Sequence, residues 1–317
     1  MHIFNELSYI KNSSLALGFF DGIHLGHRVV LRNAVNIAKE ANKESCVITF
    51  SEHPSTVLSE NKPQMLLTTE EKLQILNTLG VDNVFLLDFK KFSGIKANEY
   101  IKNVLFEYFS PIAITTGFNH SFGYKKEGSS GLLNELQATY GYKYYEVPPF
   151  VVENEIVSCS TIRNKILMSD FYTANRLLGY QYFITGYVEK GDKIASTLGF
   201  PSANIEYPEE KIKIPNGVYF VTVEFEGQTY NGVLNHGFAP TLDNNEKLKT
   251  EVHIVNFNQD IYGKKIKINF ISKIRNQMKF ENIEKLQAQI QRDIAFTDIY
   301  SRFIGGNTSF SCKKLFL

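Results

Sequence analysis

Two histidines, His24 and His27, lie between an apolar run and a segment of helical spacing. Residues 15–20 predict a buried strand, Asp21-Gly22 predicts a turn, and helical spacing begins at Gly26. A strand that turns into a helix presents free backbone N–H groups and the positive end of the helix dipole, which favour phosphate. An imidazole there can donate hydrogen bonds to oxygens that gain charge in a transition state. The pattern favours nucleotide chemistry over the alternative that both histidines are ordinary turn or surface residues.

Two later stretches in the first half also carry groups that suit a ligand. Residues 157–163 predict a helix whose hydroxyls and first-turn Arg163 form a second anion site, although a salt bridge to a nearby acid would also explain the arginine. Residues 116–123 combine two glycines with the polar Asn119, which suits a loop close to a ligand. The basic run 124–128 is equally consistent with a solvated loop and with phosphate contact.

The second half offers oxygen ligands at close spacing. Gly199 and Pro201 fix an unusual backbone, and Ser202 and Asn204 present a hydroxyl and an amide oxygen two residues apart. That pair suits a Mg²⁺ that also carries phosphates and water. Glu251 lies on a predicted strand, where a single glutamate usually faces solvent.

The spacing of apolar residues predicts different secondary structure in the two halves of the chain. The first half alternates apolar strands with amphipathic helices, which predicts a parallel sheet whose ligands bind beyond the carboxyl ends of its strands. The predicted strands are 46–50, 84–87 and 112–115, and the predicted helices are 69–76, capped by Thr68 or Thr69, and 99–105.

After Gly179 the spacing becomes that of strands with Gly, Asn and Asp turns. Residues 218–230 predict a hairpin, a helix is predicted at 283–294, and the whole suggests a small antiparallel barrel. Further strands are predicted at 183–188, 250–255 and 265–270.

Composition limits the remaining possibilities. The 317 residues allow two domains, and a net charge of +1 argues against a dedicated nucleic-acid binder. No apolar run approaches the roughly 20 residues of a membrane span, and the N-terminus lacks the features of a signal peptide. Cys46, Cys159 and Cys312 are too widely spaced to predict a disulfide framework or a zinc site. We expect a cytoplasmic protein.

The motifs together resemble those of the bacterial riboflavin kinase/FMN adenylyltransferases, or FAD synthetases. Residues 18–27 are similar to the nucleotidyltransferase signature of that family, and residues 199–204 to the Gly-Phe-Pro-Thr-Ala-Asn motif of riboflavin kinases, with Ser202 in place of Thr. The resemblance covers about residues 13–295. It implies an α/β plus all-β chain: a Rossmann-like nucleotidyltransferase domain with a parallel sheet, then a small antiparallel β-barrel with a closing helix. The boundaries are expected at 1–181, 182–300 and, for a C-terminal tail, 301–317.

The resemblance also implies roles for individual residues. His24 and His27 would stabilise the transferring phosphoryl group, Glu251 would take the proton from the ribityl hydroxyl, and Ser202 and Asn204 would hold Mg²⁺. ATP or phosphate contacts are implied for Gly18, Phe20, Asp21, Gly26, Ser160, Thr161, Arg163, Gly199 and Pro201, and flavin contacts for Asn119 and Arg275.

The implied reactions convert riboflavin to FMN and FMN to FAD, with ATP as co-substrate and Mg²⁺ as cofactor. We expect no nucleic-acid or membrane partner, and a monomer or weak homo-oligomer. Two of the four departures from the family pattern, at Asn119-His120 and Ala195-Ser196, leave open an enzyme with only one of the two activities. A flavin-binding regulatory protein is the second alternative. The departures are Glu52 for Pro, Asn119-His120 for Asp-Phe, Ala195-Ser196 for Gly-Arg, and Gln277 for Glu.

Overall fold

The computed structural model describes residues 1–54, 64–189, 199–239 and 247–306. Ala195 and Ser196, where the sequence departs from the family pattern, lie outside the described residues. The chain forms two compact units, one from Met1 to Cys159 and one beginning at Ser160.

The first unit is built on a parallel sheet, as the sequence predicted. Its six strands lie in the order β1-β4-β3-β2-β5-β8, and every neighbouring pair is parallel. Two small antiparallel pairs, β6 with β7 and β9 with β10, accompany it. The strands are β1 (His2–Phe4), β2 (Ser14–Leu17), β3 (Ser45–Phe50), β4 (Asn83–Leu87), β5 (Ala113–Gly117), β6 (Ser121–Phe122), β7 (Gly128–Ser129), β8 (Lys143–Val147), β9 (Val151–Val152) and β10 (Glu155–Ile156).

The helices of this unit connect the parallel strands. The predicted cap of the second helix is confirmed at Thr68, which forms a reciprocal capping box with Glu71. The predicted helix 99–105 is interrupted, since its α-helical part ends at Tyr100 and a π-helical segment, Ile101–Phe109, follows. The helices are α1 (Leu25–Glu40), α2 (Thr69–Thr78), α3 (Phe89–Phe92), α4 (Ala97–Tyr100) and α5 (Ser130–Tyr140), with 3₁₀ turns at Asp21–Ile23 and Tyr124–Lys126. The next helix, α6 (Cys159–Leu167), begins at the last residue of this unit and continues into the second.

Strand β2 lies at the point where the chain changes direction across the sheet. The chain continues from β2 to β3 on one side, and β5 later pairs with the other side of β2. In open α/β sheets such a switch point leaves a crevice beyond the carboxyl ends of the two strands, where ligands bind. The predicted strand 15–20 is wrong at its end: β2 stops at Leu17, and Phe20 takes a left-handed conformation with φ 56°.

The second unit contains the predicted antiparallel barrel, which is closed. Its six strands lie in the order β11-β12-β15-β14-β13-β16. The predicted hairpin is confirmed, because Phe225 pairs with Gln228 across a two-residue turn in which Glu226 and Gly227 both have positive φ. The strands are β11 (Phe183–Glu189), β12 (Ser202–Ile205), β13 (Gly217–Phe225), β14 (Gln228–Ala239), β15 (Lys247–Ile254) and β16 (Lys265–Arg275), and the helices are α7 (Phe171–Leu178) and α8 (Ile283–Gly306).

Helix α7 packs on the barrel. The rings of Phe171 and Phe270 stack 5.0 Å apart, and the Asn175 amide donates to the Phe270 carbonyl at 2.9 Å. The side-chain oxygen of Asn175 accepts the Tyr182 amide at 2.6 Å. These contacts explain why residues 160–181, which the sequence assigned to the first domain, belong to the second compact unit. The boundary at 181/182 stays a prediction.

Helix α8 closes the barrel and runs past the predicted end at residue 294. The Asn231 amide donates to the Ser301 hydroxyl at 3.0 Å, and Arg275 at the end of β16 forms a salt bridge of 2.8 Å with Asp293, whose side chain is 3% exposed. The predicted tail boundary at 301 therefore falls within the helix. Among the described residues, no helix is long and apolar enough to cross a membrane.

We predict that Asp293→Ala destabilises the barrel by about 3 kcal/mol, because removing one partner of a largely buried pair leaves the other charge uncompensated. The measurement is the hydrogen-exchange protection of backbone amides in the paired strands β13 and β16 of the intact chain. The matched control is Glu281→Ala, which breaks the exposed Glu281–Lys285 pair beside the same helix and should change stability by about 0.5 kcal/mol or less. Equal effects of the two substitutions would contradict the prediction.

Candidate functional sites

The turn between β2 and α1 places the two early histidines. Its backbone is held in sparsely populated conformations, with φ 56° at Phe20, 75° at Gly22 and 36° at Ile23. A positive φ at a β-branched residue such as Ile23 costs free energy and persists only where the surroundings enforce it. Such strain is found at functional sites more than elsewhere. The turn ends at His24, which is the N-cap of α1.

His24 and His27 form one cluster. Their rings stack with centroids 3.6 Å apart and planes 16° apart. The His24 Nδ1 accepts the backbone N–H of His27 at 3.3 Å, so the cap itself orients the first ring. Phe20 packs edge-on against His27 at 5.4 Å. Both imidazoles thus stand at the N-terminal end of α1, where the helix dipole favours an anion.

The imidazoles are neutral near pH 7. Burial lowers the pKa of His24 to about 4, with its backbone hydrogen bond acting weakly in the opposite direction. Burial, followed by the neighbouring His24, lowers the pKa of His27 well below its ordinary value. Among the described side chains, the buried Nδ1 of His27 is one of the few atoms with no hydrogen-bond partner. A neutral ring with an unpaired nitrogen is ready to interact with an incoming ligand atom.

Asp21 and Lys72 stabilise the backbone around this turn through hydrogen bonds. The Asp21 carboxylate, 3% exposed, accepts the backbone N–H groups of Leu66 and Leu67, the former at 2.9 Å. The Lys72 ammonium donates to the carbonyls of Phe19 and Phe50, at 3.4 and 3.1 Å. Burial lowers the pKa of Lys72 to about 8, although Asp21 favours its charged form. The sequence singled out Asp21 as a phosphate contact, whereas the structure engages its carboxylate with main-chain amides.

The other residues predicted around this turn lie close to it. A Cβ on Gly18 would come within 2.8 Å of the Phe20 ring, so Gly18 permits the packing of Phe20 beneath His27. Gly26 lies in the first turn of α1, beside His24 and Phe150. Cys159 was not predicted here, yet its thiol donates to the Asp21 carbonyl at 3.1 Å.

The helix predicted to hold a second anion site begins at Cys159. Ser160, Thr161 and Arg163 lie in its first two turns, Ser160 exposed and the other two half-buried. The hydroxyls therefore occupy the helix end that the sequence indicated. These three residues belong to the second compact unit.

The loop after β5 leaves the same edge of the sheet as the histidine turn. Asn119, predicted to bind flavin, is exposed there, and His120 stacks on Phe122 with centroids 5.7 Å apart. The basic run that follows makes a 3₁₀ turn between β6 and β7, in which Lys125 lies over the Tyr124 ring. The flavin contact of Asn119 stays a prediction.

In the barrel, strand pairing brings the predicted metal and base residues together. Asn204 on β12 is directly opposite Glu251 on β15, and Ser202 is opposite His253. Directly opposed residues share a face, with Cβ atoms roughly 4.5–5.5 Å apart. Ala203 and Val252, which alternate with them, are buried in the barrel interior. Ser202, Asn204 and Glu251 therefore form one row on the outer side of the barrel.

The neighbours of this row include residues that the sequence did not single out. His253 Nδ1 lies 2.8 Å from the Pro201 carbonyl, which ties the turn at Gly199, φ 84°, to β15. On the other side of Glu251, Asn235 of β14 is its direct partner and accepts from Gln277 at 3.0 Å. Glu251 thus lies between two asparagines on adjacent strands.

Arg275 has a structural partner. Its guanidinium forms a bidentate salt bridge with Asp293 and so links the end of β16 to α8. The flavin contact of Arg275 stays a prediction. An acidic residue in the closing helix was the available signal for this pair, but sequence spacing alone does not match it to an arginine on a strand.

Comparisons with known proteins match both halves of the chain. The FAD synthetase family model matches residues 7–161, and the riboflavin kinase model matches residues 178–300. The bifunctional riboflavin kinase/FMN adenylyltransferase of Bacillus subtilis is 36% identical over 303 residues, which cover 92% of this chain and 95% of that protein. The protein of the same description from Buchnera aphidicola subsp. Schizaphis graminum is 34% identical and is covered to 96%.

A crystal structure described as a macrolide-efflux protein from Streptococcus pneumoniae shares the fold. It is 30% identical, superposes with a TM-score of 0.84, and the match covers 93% of this chain and 98% of that one. The arrangement of a parallel-sheet unit followed by a barrel is therefore found in an experimental structure.

We predict that the chain loses stability as the pH falls below about 6.5, partly because of His24. A histidine with a folded-state pKa of about 4 contributes stability that is present above its unfolded pKa, near 6.5, and is lost as the pH falls towards 4. Between pH 7 and pH 5 this loss is about 2 kcal/mol for one such group. Urea unfolding of the intact chain at a series of pH values measures it.

The test variant for this pH dependence is His24→Asn, since asparagine is also a favourable N-cap. We expect its unfolding free energy to fall less steeply with decreasing pH than that of the unsubstituted chain. His2→Asn, at an exposed histidine of the same unit, is the matched control and should keep the original slope. A slope unchanged by His24→Asn would count against the assignment.

Proposed function

The chain belongs to the family of bifunctional riboflavin kinase/FMN adenylyltransferases, and from this membership we propose which of its residues carry each reaction. It phosphorylates riboflavin with ATP to give FMN, and it adenylylates FMN with a second ATP to give FAD and pyrophosphate. Both family models match, which argues against the alternatives of a single activity or of regulation without catalysis. Residues 1–181 carry the adenylyl transfer and residues 182–300 the kinase reaction in this proposal.

The observation that carries the kinase assignment is the pairing of Asn204 with Glu251. Glu251 accepts the proton of the terminal ribityl hydroxyl, whose oxygen attacks the γ-phosphorus of ATP as ADP leaves. Asn235 on the next strand lies directly opposite Glu251 on its other side. The Gly199–Pro201 turn, tied down by His253, sets the height of Ser202 beside the phosphates.

Ser202 and Asn204 fit Mg²⁺ by their chemistry. A hydroxyl and an amide oxygen are hard ligands, they lie on one face at neighbouring alternate positions, and a carboxylate stands directly opposite. When bound, Mg²⁺ neutralises charge on the β- and γ-phosphates of ATP. The two side chains hold the metal in this proposal, and Glu251 stays available as the base.

Adenylyl transfer needs no protein nucleophile. A phosphate oxygen of FMN attacks the α-phosphorus of ATP and pyrophosphate leaves, so positioning and charge stabilisation carry the step. His24 and His27 donate hydrogen bonds to the phosphoryl oxygens, supported by the N-terminal N–H groups of α1. Their stacked geometry at the start of α1 supports this role. Phe20 and Gly18 fix the His27 ring, while Ser160, Thr161 and Arg163 bind the triphosphate.

We place the protein in the cytoplasm. The wide spacing of the three cysteines predicts no disulfide framework, which suits a reducing compartment. Riboflavin, FMN and ATP are its small-molecule partners, and a monomer or weak homo-oligomer remains our expectation.

We predict that substitutions in the two sites separate the two activities. His24→Asn and His27→Gln should lower FMN-to-FAD conversion by roughly 10²–10³-fold through loss of transition-state donors, with little change in FMN formation. Glu251→Gln should lower riboflavin phosphorylation by roughly 10²–10⁴-fold through loss of the base, with little change in FAD formation. Separation of the flavins after incubation with ATP and Mg²⁺ measures both rates in one sample. Parallel loss of both activities in any variant would refute the division of roles.

We further predict that Ser202→Ala raises the Mg²⁺ concentration needed for half-maximal FMN formation by roughly tenfold, because one oxygen ligand is lost. FAD formation by the same preparation is the internal control, and its Mg²⁺ dependence should not move. A shift of both dependences, or of neither, would show that Ser202 is not the metal ligand of the kinase reaction.

A further inference from the structure

Three potential metal ligands meet at the histidine turn. His24, His27 and Cys159 each offer one ligand atom, and these atoms all lie within 4.8 Å of one another. All three residues belong to the first compact unit. Tetrahedral zinc sites use Zn–N distances of about 2.0–2.1 Å and Zn–S distances of about 2.3 Å. One imidazole must turn out of the 3.6 Å stack to bring the three atoms around one ion.

The donor set selects one class of cation. Two imidazole nitrogens and one thiolate sulfur suit Zn²⁺ and other thiophilic d¹⁰ ions, whereas Mg²⁺ prefers oxygen ligands. Three protein ligands leave a fourth position for water or a phosphate oxygen, as in catalytic zinc sites. The positive charge of the Lys72 ammonium acts electrostatically on His27 and repels a cation bound there. A cation must therefore gain a strong bond to sulfur in order to bind.

Two further observations point to a ligand here. The Nδ1 atom of His27 is buried and has no hydrogen-bond partner among the described residues. The Cys159 thiol uses its proton on the Asp21 carbonyl, 3.1 Å away, so the sulfur lone pairs are not consumed by that contact.

We propose that His24, His27 and Cys159 bind Zn²⁺ or a similar thiophilic divalent cation, and that the bound cation switches off adenylyl transfer. Binding forms one metal–sulfur and two metal–nitrogen bonds, and the thiol proton is released to solvent. The occupied imidazoles no longer donate to the phosphoryl group of ATP, so the rate of FAD formation falls. The inhibitory part rests on the function proposed above, whereas the metal site itself does not.

Direct binding is tested with Cd²⁺ alone, added to the intact chain without nucleotide. We expect a thiolate-to-metal charge-transfer band that saturates at one ion per chain. Cys159→Ser removes the sulfur and should abolish the band, and His27→Gln should weaken binding by at least about tenfold, since even outer-shell partners are worth roughly 10–100-fold in metal affinity. Cys312→Ser, which removes a thiol remote in sequence, is the matched control and should leave the band intact. No band, or an equal band in Cys159→Ser, overturns the site.

The switch is tested by adding Zn²⁺ to the two reactions under one Mg²⁺ and ATP concentration, without thiol reductants. FAD formation should fall, and a chelator should restore it. FMN formation is the control: it would also fall if Zn²⁺ merely complexed the ATP, and we expect it to stay unchanged. Each variant is compared with itself in the absence of Zn²⁺, and Cys159→Ser should need at least about tenfold more Zn²⁺ for the same inhibition. Cd²⁺ binding without any effect on FAD formation overturns the switch but not the metal site. The His24→Asn and Glu251→Gln variants test the proposed function separately, so the two failures are distinguishable.

Discussion

The first unit depends on a buried carboxylate that holds a strained turn. Asp21 accepts the amides of Leu66 and Leu67, and Lys72 ties the carbonyls that follow β2 and β3. These contacts offset the cost of the left-handed backbone at Phe20 and Ile23. Because Asp21 and Lys72 hold the backbone of the turn, the turn can present two imidazoles at the start of a helix, where His24 also caps α1.

The barrel positions its functional side chains by strand pairing and not by a strained turn. Strand register alone aligns Ser202, Asn204 and Glu251, because opposed residues share a face and alternate residues repeat on it. No strained backbone is needed at Glu251, whose neighbours Val252 and Ile254 anchor the strand in the core. The two reactions also differ in what the protein must supply, a proton acceptor in one and hydrogen-bond donors in the other. Carboxylate and imidazole follow from that difference.

The sequence predicted the period of each half, the parallel sheet, the closed barrel and the position of the histidine turn. It missed β12, because a strand of only four residues is too short to distinguish from the Gly-Phe-Pro turn before it, and so it could not place Asn204 opposite Glu251. It also missed Lys72 and Cys159. Each acts through partners distant in sequence, Lys72 with Thr49 and Phe50 and Cys159 with Asp21, and residue spacing does not encode such contacts. The partner of Arg275 was missed for the same reason.

The neutrality of the stacked imidazoles has a consequence for turnover. A polyanion placed against these rings opposes the effect of burial and raises their affinity for protons. At a pH near the raised pKa, arrival of the nucleotide draws hydrogen ions from the buffer, and departure of pyrophosphate returns them. At such a pH, the heat of nucleotide binding depends on the ionisation enthalpy of the buffer. Over a complete reaction cycle, the imidazoles take up no net protons.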